Sequence, residues 1–361
     1  MIVISHGNLL TADAEALVNT VNTVGVMGKG IALQFKRAYP ANYTAYRVAC
    51  AAKEVELGRM FVFDSGLIGC RRYVINFPTK GHWRADSKLA DIRAGLTDLV
   101  RVVRERHIGS VAMPALGCGN GGLGWDEVRP VIEQAFADLP EVQVLLFPPE
   151  GAPEPSEMPV GTRKPALTPG RATLLRAVER YLEQARELEP RDGITTLEIQ
   201  KIAYFLQVFG EPLRLSFTRG RYGPYADNLN HVLDRLEGHY LVGFGDRSSR
   251  VEELRPIHLT SGTSEAVSAW FDSPGRRNPD ALVRLAELVD GFEAPYSLEL
   301  LATVHYAAQT QPPTSDIDEL TKRVQAWSGR KARLFTTAHI TTAYERLQSA
   351  GLLPNLVTTS G

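Results

Sequence analysis

Apolar and polar positions follow two rhythms along this chain. Short runs rich in apolar and β-branched residues predict strands at Ile2–Ile4, Ala16–Val21, Met60–Phe63, Tyr73–Phe77, Ser110–Met113 and Val142–Phe147. Between them the repeat lengthens to three or four residues. From Ser87 to Arg106 the positions Leu89, Ile92, Leu96, Leu99 and Val103 form one apolar stripe, which predicts a helix with Ser87 as its N-cap. Lys29–Arg37 and Asp126–Ala137 show the same helical pattern. Strands alternating with helices predict a layered α/β unit with a mixed, largely parallel sheet.

The rhythm changes after residue 148. The stretch Pro148–Pro169 carries seven prolines in 22 residues, a density that no helix or inner strand tolerates. It divides the chain into an α/β domain at 1–148, a Pro-rich linker at 149–170 and a mainly α-helical domain at 171–361. Helical patterns in the last part cover Arg171–Leu188, Leu197–Phe209, Ala226–Leu236, Ser264–Trp270, Ala281–Val289, Ser297–Ala308, Ile317–Trp327 and Thr337–Ala350. Thr195 and Glu198 have the spacing of a capping box. A short strand is predicted at Leu213–Phe217, ahead of the turn-rich Arg221–Asn228. The aromatic residues Tyr204, Phe205, Phe209, Phe217, Tyr222 and Tyr225 fit a core and also fit interface anchors.

Charge narrows the classes of partner. The 361 residues hold 40 basic and 41 acidic side chains, a net charge of −1. Residues 1–150 carry 16 basic and 15 acidic groups, and the remainder 24 and 26. This balance excludes a generally basic nucleic-acid coat and disfavours a DNA-binding regulator built on the helical half. No apolar run approaches a membrane span, and the N-terminus resembles a first strand more than a signal peptide. Three cysteines without metal spacing predict a reducing cytoplasm and no structural zinc.

Three segments just after predicted strands carry candidate chemistry, at the sheet end where α/β ligands collect. The first runs from Asn22 through Gly25, Met27, Gly28, Lys29, Gly30 and Ile31 into a helix. Its glycines allow backbone amides to approach a phosphate, and the helix N-terminus adds positive potential. The second, Gly117-Cys118-Gly119-Asn120-Gly121-Gly122-Leu123, is a further anion cradle that matches neither a Walker A loop nor GxGxxG. Two such loops at one sheet end predict a diphosphate clasped from both sides. The third, Asn76–Arg84, presents Lys80 on a loop with His82 and Trp83, where Trp83 suits a stacking platform. There is no Ser/His/Asp signature and no HExxH motif, and nothing calls for a metal or cofactor.

Together GNLL at 7–10, VNTVN at 18–22, GVMGKGIA at 25–32, NFPTKGHWR at 76–84 and LGCGNGGL at 116–123 resemble macrodomains, the ADP-ribose-binding fold. The last two motifs resemble more particularly the DarG-type antitoxins, macrodomain DNA ADP-ribosyl glycohydrolases paired with DarT toxins. That resemblance implies a three-layer α/β macrodomain followed by a helical toxin-binding part. It implies hydrolysis of the N-glycosidic link between ADP-ribose and a base, thymidine in single-stranded DNA, with ADP-ribose as product. Matched position by position, it implies adenine contact at Asn8, which replaces the family's usual aspartate, and ADP-ribose contact at Leu9. It implies contact with the distal ribose at Asn22, and ADP-ribose contact at Thr79. The diphosphate would lie along Met27, Gly28, Lys29, Gly30 and Ile31, facing Gly117, Cys118, Gly119, Asn120, Gly121, Gly122 and Leu123. Lys80 matches the catalytic lysine, for which charge considerations allow an acid or an imine route, and the loop placement of His82 and Trp83 makes them candidate base or DNA contacts. Related enzymes acting on protein glutamates carry an aspartate in the second glycine loop, where this chain has Gly121. Two alternatives remain at this point: a macrodomain acting on protein-linked ADP-ribose, and a module that binds ADP-ribose without catalysis.

Overall fold

The computed structural model describes residues 1–149, 153–188, 190–191, 193–245, 256–276 and 279–354. The chain forms two compact units, dividing first between Arg163 and Lys164.

The first unit is built on a six-stranded sheet. Its strands are β1 (Ile2–Ile4), β2 (Ala16–Asn22), β3 (Phe61–Asp64), β4 (Tyr73–Lys80), β5 (Ser110–Pro114) and β6 (Gln143–Phe147), in the spatial order β1-β6-β5-β2-β4-β3. All neighbours are parallel except the hairpin pair β3 and β4. Helices α1 (Gly30–Ala38), α2 (Pro40–Ala51), α3 (Leu89–Glu105) and α4 (Trp125–Ala135) supply the outer layers. Alternation along β2 sends Ala16 and Val18 into a core with Ile92, Leu96 and Leu99 of α3 and Val128 and Ile132 of α4. Leu17 faces the other way, toward Phe35 of α1, and Val21 meets Tyr46 and Ala49 of α2. This is the predicted α/β sandwich with its mixed, largely parallel sheet.

One local expectation fails here, and one helix had no expectation at all. Ser87 does not cap α3; the helix starts at Leu89 with Lys88 before it, and the Ser87 amide donates to the Gly121 carbonyl at 2.9 Å. A tertiary bond has taken the residue that local chemistry assigned to a cap. Helix α2 had no clear stripe in the sequence because two of its inward positions, Asn42 and Tyr46, are polar.

The second unit is mainly helical. It contains α5 (Pro169–Leu188), α6 (Thr196–Val208), α7 (Asp227–Leu236), α8 (Thr263–Phe271), α9 (Asp280–Val289), α10 (Pro295–Gln309), α11 (Ile317–Gln325), α12 (Gly329–Leu334) and α13 (Thr337–Ser349). The capping box forms, with the Thr195 side chain on the Glu198 amide and the Glu198 carboxylate on the Thr195 amide. Leu213–Phe217 is not a strand. The Gln207 side-chain amide meets both the amide and the carbonyl of Leu215, at 2.8 and 3.0 Å, in place of a partner strand. The short ladder lies one step later, between Thr218–Gly220 and Gly223–Tyr225. Tyr204 and Phe205 belong to the core, and the Tyr204 hydroxyl hydrogen-bonds His305 Nδ1 at 2.7 Å.

The Pro-rich stretch is packed where it is described; residues 150–152 lie outside the described part, as do 355–361 of the helical region. Met158 packs against the α1 side of the first unit, and the Gly161 amide donates to the Arg37 carbonyl. Leu167 packs on the core of the second unit. No helix among the described residues is long and apolar enough to cross a membrane.

Candidate functional site

Because β1, β6, β5, β2 and β4 run parallel, their carboxyl ends share one edge, and the candidate residues gather there. A register shift after Val21 sets Asn22 opposite Lys80, the last residue of β4. The Asn22 side chain then folds back on its own loop. Its Nδ2 donates to the Val26 carbonyl at 2.6 Å, and its Oδ1 accepts from the amides of Val24 and Val26. The Tyr46 hydroxyl donates to the Asn22 carbonyl from below, and its own ionisation is pushed up by burial. Asn22 thus shapes the first glycine loop. Met27 is buried under that loop, whereas Lys29 is exposed at the N-cap of α1 without a side-chain cap of its own.

The second glycine loop is held by tight turns. Leu123 N donates to Gly117 O and Gly122 N to Gly119 O, both at 3.1 Å. Gly117 sits at φ +73°, and any Cβ there would press on Leu123 and Ser87. Gly121 is closed to every side chain: a Cβ would lie 2.3 Å from Ser87 Oγ and 2.5 Å from the Gly117 carbonyl. A carboxylate therefore cannot be carried at this position. Burial and then Glu127 push the Cys118 thiol up to about 11, which keeps it protonated near neutral pH.

The two loops and the lysine come together at Asn120. A Cβ on Gly30 would lie 3.1 Å from Asn120 Nδ2, which places the first loop against the second. The Lys80 ammonium donates to the Asn120 carbonyl at 2.7 Å. Burial lowers the Lys80 pKa, and the Asp86 carboxylate acts against that shift. Thr79 is buried beside Lys80, with its hydroxyl on the Val21 carbonyl.

The remaining predicted residues stand apart. Asn8 caps a short 3-10 turn at Leu9–Thr11 after β1, its Oδ1 accepting from Leu10 N at 3.0 Å. Its Nδ2 donates to the Glu157 carbonyl at 3.0 Å, a bond an aspartate cannot make. Leu9 is buried in the α1-side core. His82 and Trp83 are exposed on the loop beyond Lys80.

Sequence reasoning missed three features. One is a buried asparagine cluster beneath the site. Asn19 Nδ2 donates to Asn76 Oδ1 at 3.0 Å and Asn76 Nδ2 to Asn42 Oδ1 at 2.7 Å, tying α2 to β4 and β2. The asparagines of VNTVN and INFP were visible, but not their pairing. The others are Ser87, wedged against the glycine loop, and Asp86 near Lys80, which looked like ordinary helix-start residues. Among the described residues no cluster suits a metal. A shallow depression lined by Asp64, Gly66, Leu67, Ile68 and Arg72 lies at the β3–β4 turn, the opposite end of the sheet from Lys80.

This sheet, its flanking helices and the paired glycine loops define a macrodomain, and the Macro domain family model matches residues 18–132. The likeness extends well past that domain. A DNA ADP-ribosyl glycohydrolase of Mycobacterium tuberculosis is 46% identical over 352 residues, covering 96% of this chain and 99% of that protein. Its namesake in Thermus aquaticus is 47% identical over 349 residues, covering 96% and 93%. The solved macrodomain of Mycobacterium tuberculosis DarG is 59% identical, with a TM-score of 0.41, covering 42% of this chain and 99% of that one. The chain belongs to the DNA ADP-ribosyl glycohydrolase family.

Proposed function

We propose that the first unit hydrolyses the N-glycosidic bond between ADP-ribose and a base of single-stranded DNA, thymidine foremost, and so reverses DarT modification. The observation that carries this reading is the bond from Lys80 to Asn120, which holds one ammonium at the junction of two glycine loops. In this reading the diphosphate lies on the backbones of Met27–Ile31 and Gly117–Leu123, and Asn8 and Leu9 border the adenine. Asn22 and Thr79 support the distal ribose from behind.

The chemistry follows from charge. Water adds to the anomeric carbon as the bond to the base nitrogen breaks, leaving its electron pair on the base. The Lys80 ammonium donates a proton to that nitrogen, and the proton lost by water restores the ammonium. Its bond to the Asn120 carbonyl fixes Nζ in place, and burial lowers the Lys80 pKa more than the Asp86 carboxylate raises it, so the acid route draws on the ammonium that Asp86 helps retain and the imine route on the free amine that burial favours. General acid help of this kind is worth about 10²–10⁴ in rate.

The helical unit, in the same proposal, binds DarT and neutralises it directly. The family likeness over both units supports an antitoxin with two activities. The test uses the parent chain and Lys80→Ala with thymidine- and guanosine-modified oligonucleotides and with modified glutamate peptides. The expected result is release of free ADP-ribose from modified thymidine by the parent, and a loss of at least about 10²-fold in the variant. The variant should still co-purify with DarT. Release by Lys80→Ala at the parent rate would remove Lys80 from the mechanism, and release from peptides alone would move the activity to proteins.

A further inference from the structure

The loop just beyond Lys80 carries more aromatic and cationic surface than folding requires. Trp83 is 46% exposed and belongs to none of the apolar clusters of the first unit. Its ring lies 5.3 Å from His82, tilted by 33°, and the Arg84 guanidinium sits 4.4 Å over its face. All three side chains are exposed, so this is a stack of flat groups standing in water.

The stack is held in place by the backbone beneath it. The Thr23 hydroxyl donates to the Gly81 carbonyl at 2.7 Å, which pins the loop to the end of β2. The Arg84 amide donates to His82 Nδ1 at 3.2 Å, and the Ala85 amide to the His82 carbonyl at 2.9 Å. An ordered loop keeps the ordering cost of binding low. Residues 80–88 hold Lys80, Arg84 and Lys88 against Asp86 alone, a local positive excess in a half that is otherwise near neutral.

We propose that His82, Trp83 and Arg84 form a stacking platform for an unpaired base next to the modified nucleotide. This deepens the reading above and rests on it for the position of the reacting base. Aromatic faces beside a guanidinium suit bases of any identity, and the positive excess suits the phosphate backbone. From Lys80 to Trp83 the chain spans at most about 10 Å, the height of about three stacked bases. A base on Trp83 is therefore a near neighbour of the one whose bond is cleaved. Stacking needs a free face, which single strands offer and duplexes do not. The platform thus assigns strand recognition to a residue set that touches neither the ADP-ribose nor the reacting bond.

The test compares one modification in two contexts: ADP-ribosyl-thymidine as a mononucleoside, and the same nucleoside within a single-stranded oligonucleotide. Trp83→Ala should lower the oligonucleotide-to-mononucleoside ratio of kcat/KM by about 5- to 150-fold, the range for one lost base–aromatic stack. Trp83→Phe should restore most of it. Arg84→Ala should lower the ratio less and make it less sensitive to salt. In parallel, the anisotropy of a labelled, unmodified ten-base oligothymidine should report weaker binding to Trp83→Ala than to the parent. Equal effects of Trp83→Ala on both substrates, or none on either, would overturn the platform. If the parent releases no ADP-ribose from either substrate, the proposed activity fails, and the anisotropy alone decides the platform: undiminished binding to Trp83→Ala refutes it.

Discussion

Both units bury polar side chains, but to different ends. In the first unit they are neutral amides, Asn19, Asn42 and Asn76, stacked under an edge where two loops and a lysine meet. In the second, charges are buried as well, beside neutral groups such as Gln200 and Thr303. Glu299 accepts from buried Lys331 at 2.6 Å and from Arg330 at 2.8 Å, while Lys201 donates to the Pro224 carbonyl at 2.7 Å. Glu198 joins Tyr181, Arg191 and Thr195 in a second such cluster. Neutral amides bond the middles of β2 and β4 to each other and to α2 without adding a charge beneath the loops. Buried ions instead tie α10 to α12 through Glu299 and α6 to α5 through Glu198, where removing one partner strands the rest. A buried polar group thus marks a site only where it supports an open edge.

The largest effect that should sharpen this contrast comes from Glu299→Ala. It leaves Lys331 buried without its carboxylate, and the expected cost is about 3–5 kcal/mol. At about 2–4 °C per kcal/mol, calorimetry of the full chain should show the helical unit's Tm falling by roughly 6–20 °C. ADP-ribose binding below that transition should be unaffected. A loss of binding would mean that the two kinds of burial are not separate.

Gly121→Ala should strike the other side of the comparison. Its methyl group would meet Ser87 Oγ and the Gly117 carbonyl. Relief costs about 1–3 kcal/mol and moves the loop. ADP-ribose affinity, measured by calorimetric titration, should fall about 5- to 150-fold while the helical unit's Tm is unchanged.

Protonation separates the units more finely. Burial pushes Lys201 down to about 7, well below its ordinary value. Between about pH 7 and 10 the unfolded chain therefore binds a proton that the folded chain does not, so this lysine makes stability rise with pH. Lys201→Met should shrink the gain in the helical unit's Tm between pH 7 and pH 9 by a few degrees. At the site the sign is opposite in consequence. Asp86 raises the Lys80 pKa against its burial. Asp86→Asn should move the high-pH limb of activity to lower pH, because the ammonium is lost sooner. Faster cleavage at neutral pH would instead point to the free amine as the reactive form.

Much of the first unit was legible because its signals are local. β-branched runs mark the strands, and glycine clusters just past strand ends mark the loops. A lysine two residues after proline on such an end marks the third site segment. What stayed hidden depends on pairings distant in sequence. Ser87 looked like a cap because the Gly121 carbonyl that claims its amide lies 34 residues on. Asn8 stood only as a replacement for the family's aspartate until the Glu157 carbonyl, 149 residues away, gave its Nδ2 a partner. In the helical unit Leu213–Phe217 had strand composition, but side-chain amides satisfied its backbone first.

The most direct measurement is a crystal structure of the full chain with ADP-ribose bound. The account predicts the diphosphate between the Met27–Ile31 and Gly117–Leu123 backbones. Lys80 Nζ should then stand within proton-transfer reach, about 2.6–3.2 Å or one intervening water, of the position the departing base nitrogen occupies. A diphosphate seated elsewhere, or a Lys80 ammonium turned away from the distal ribose, would contradict it.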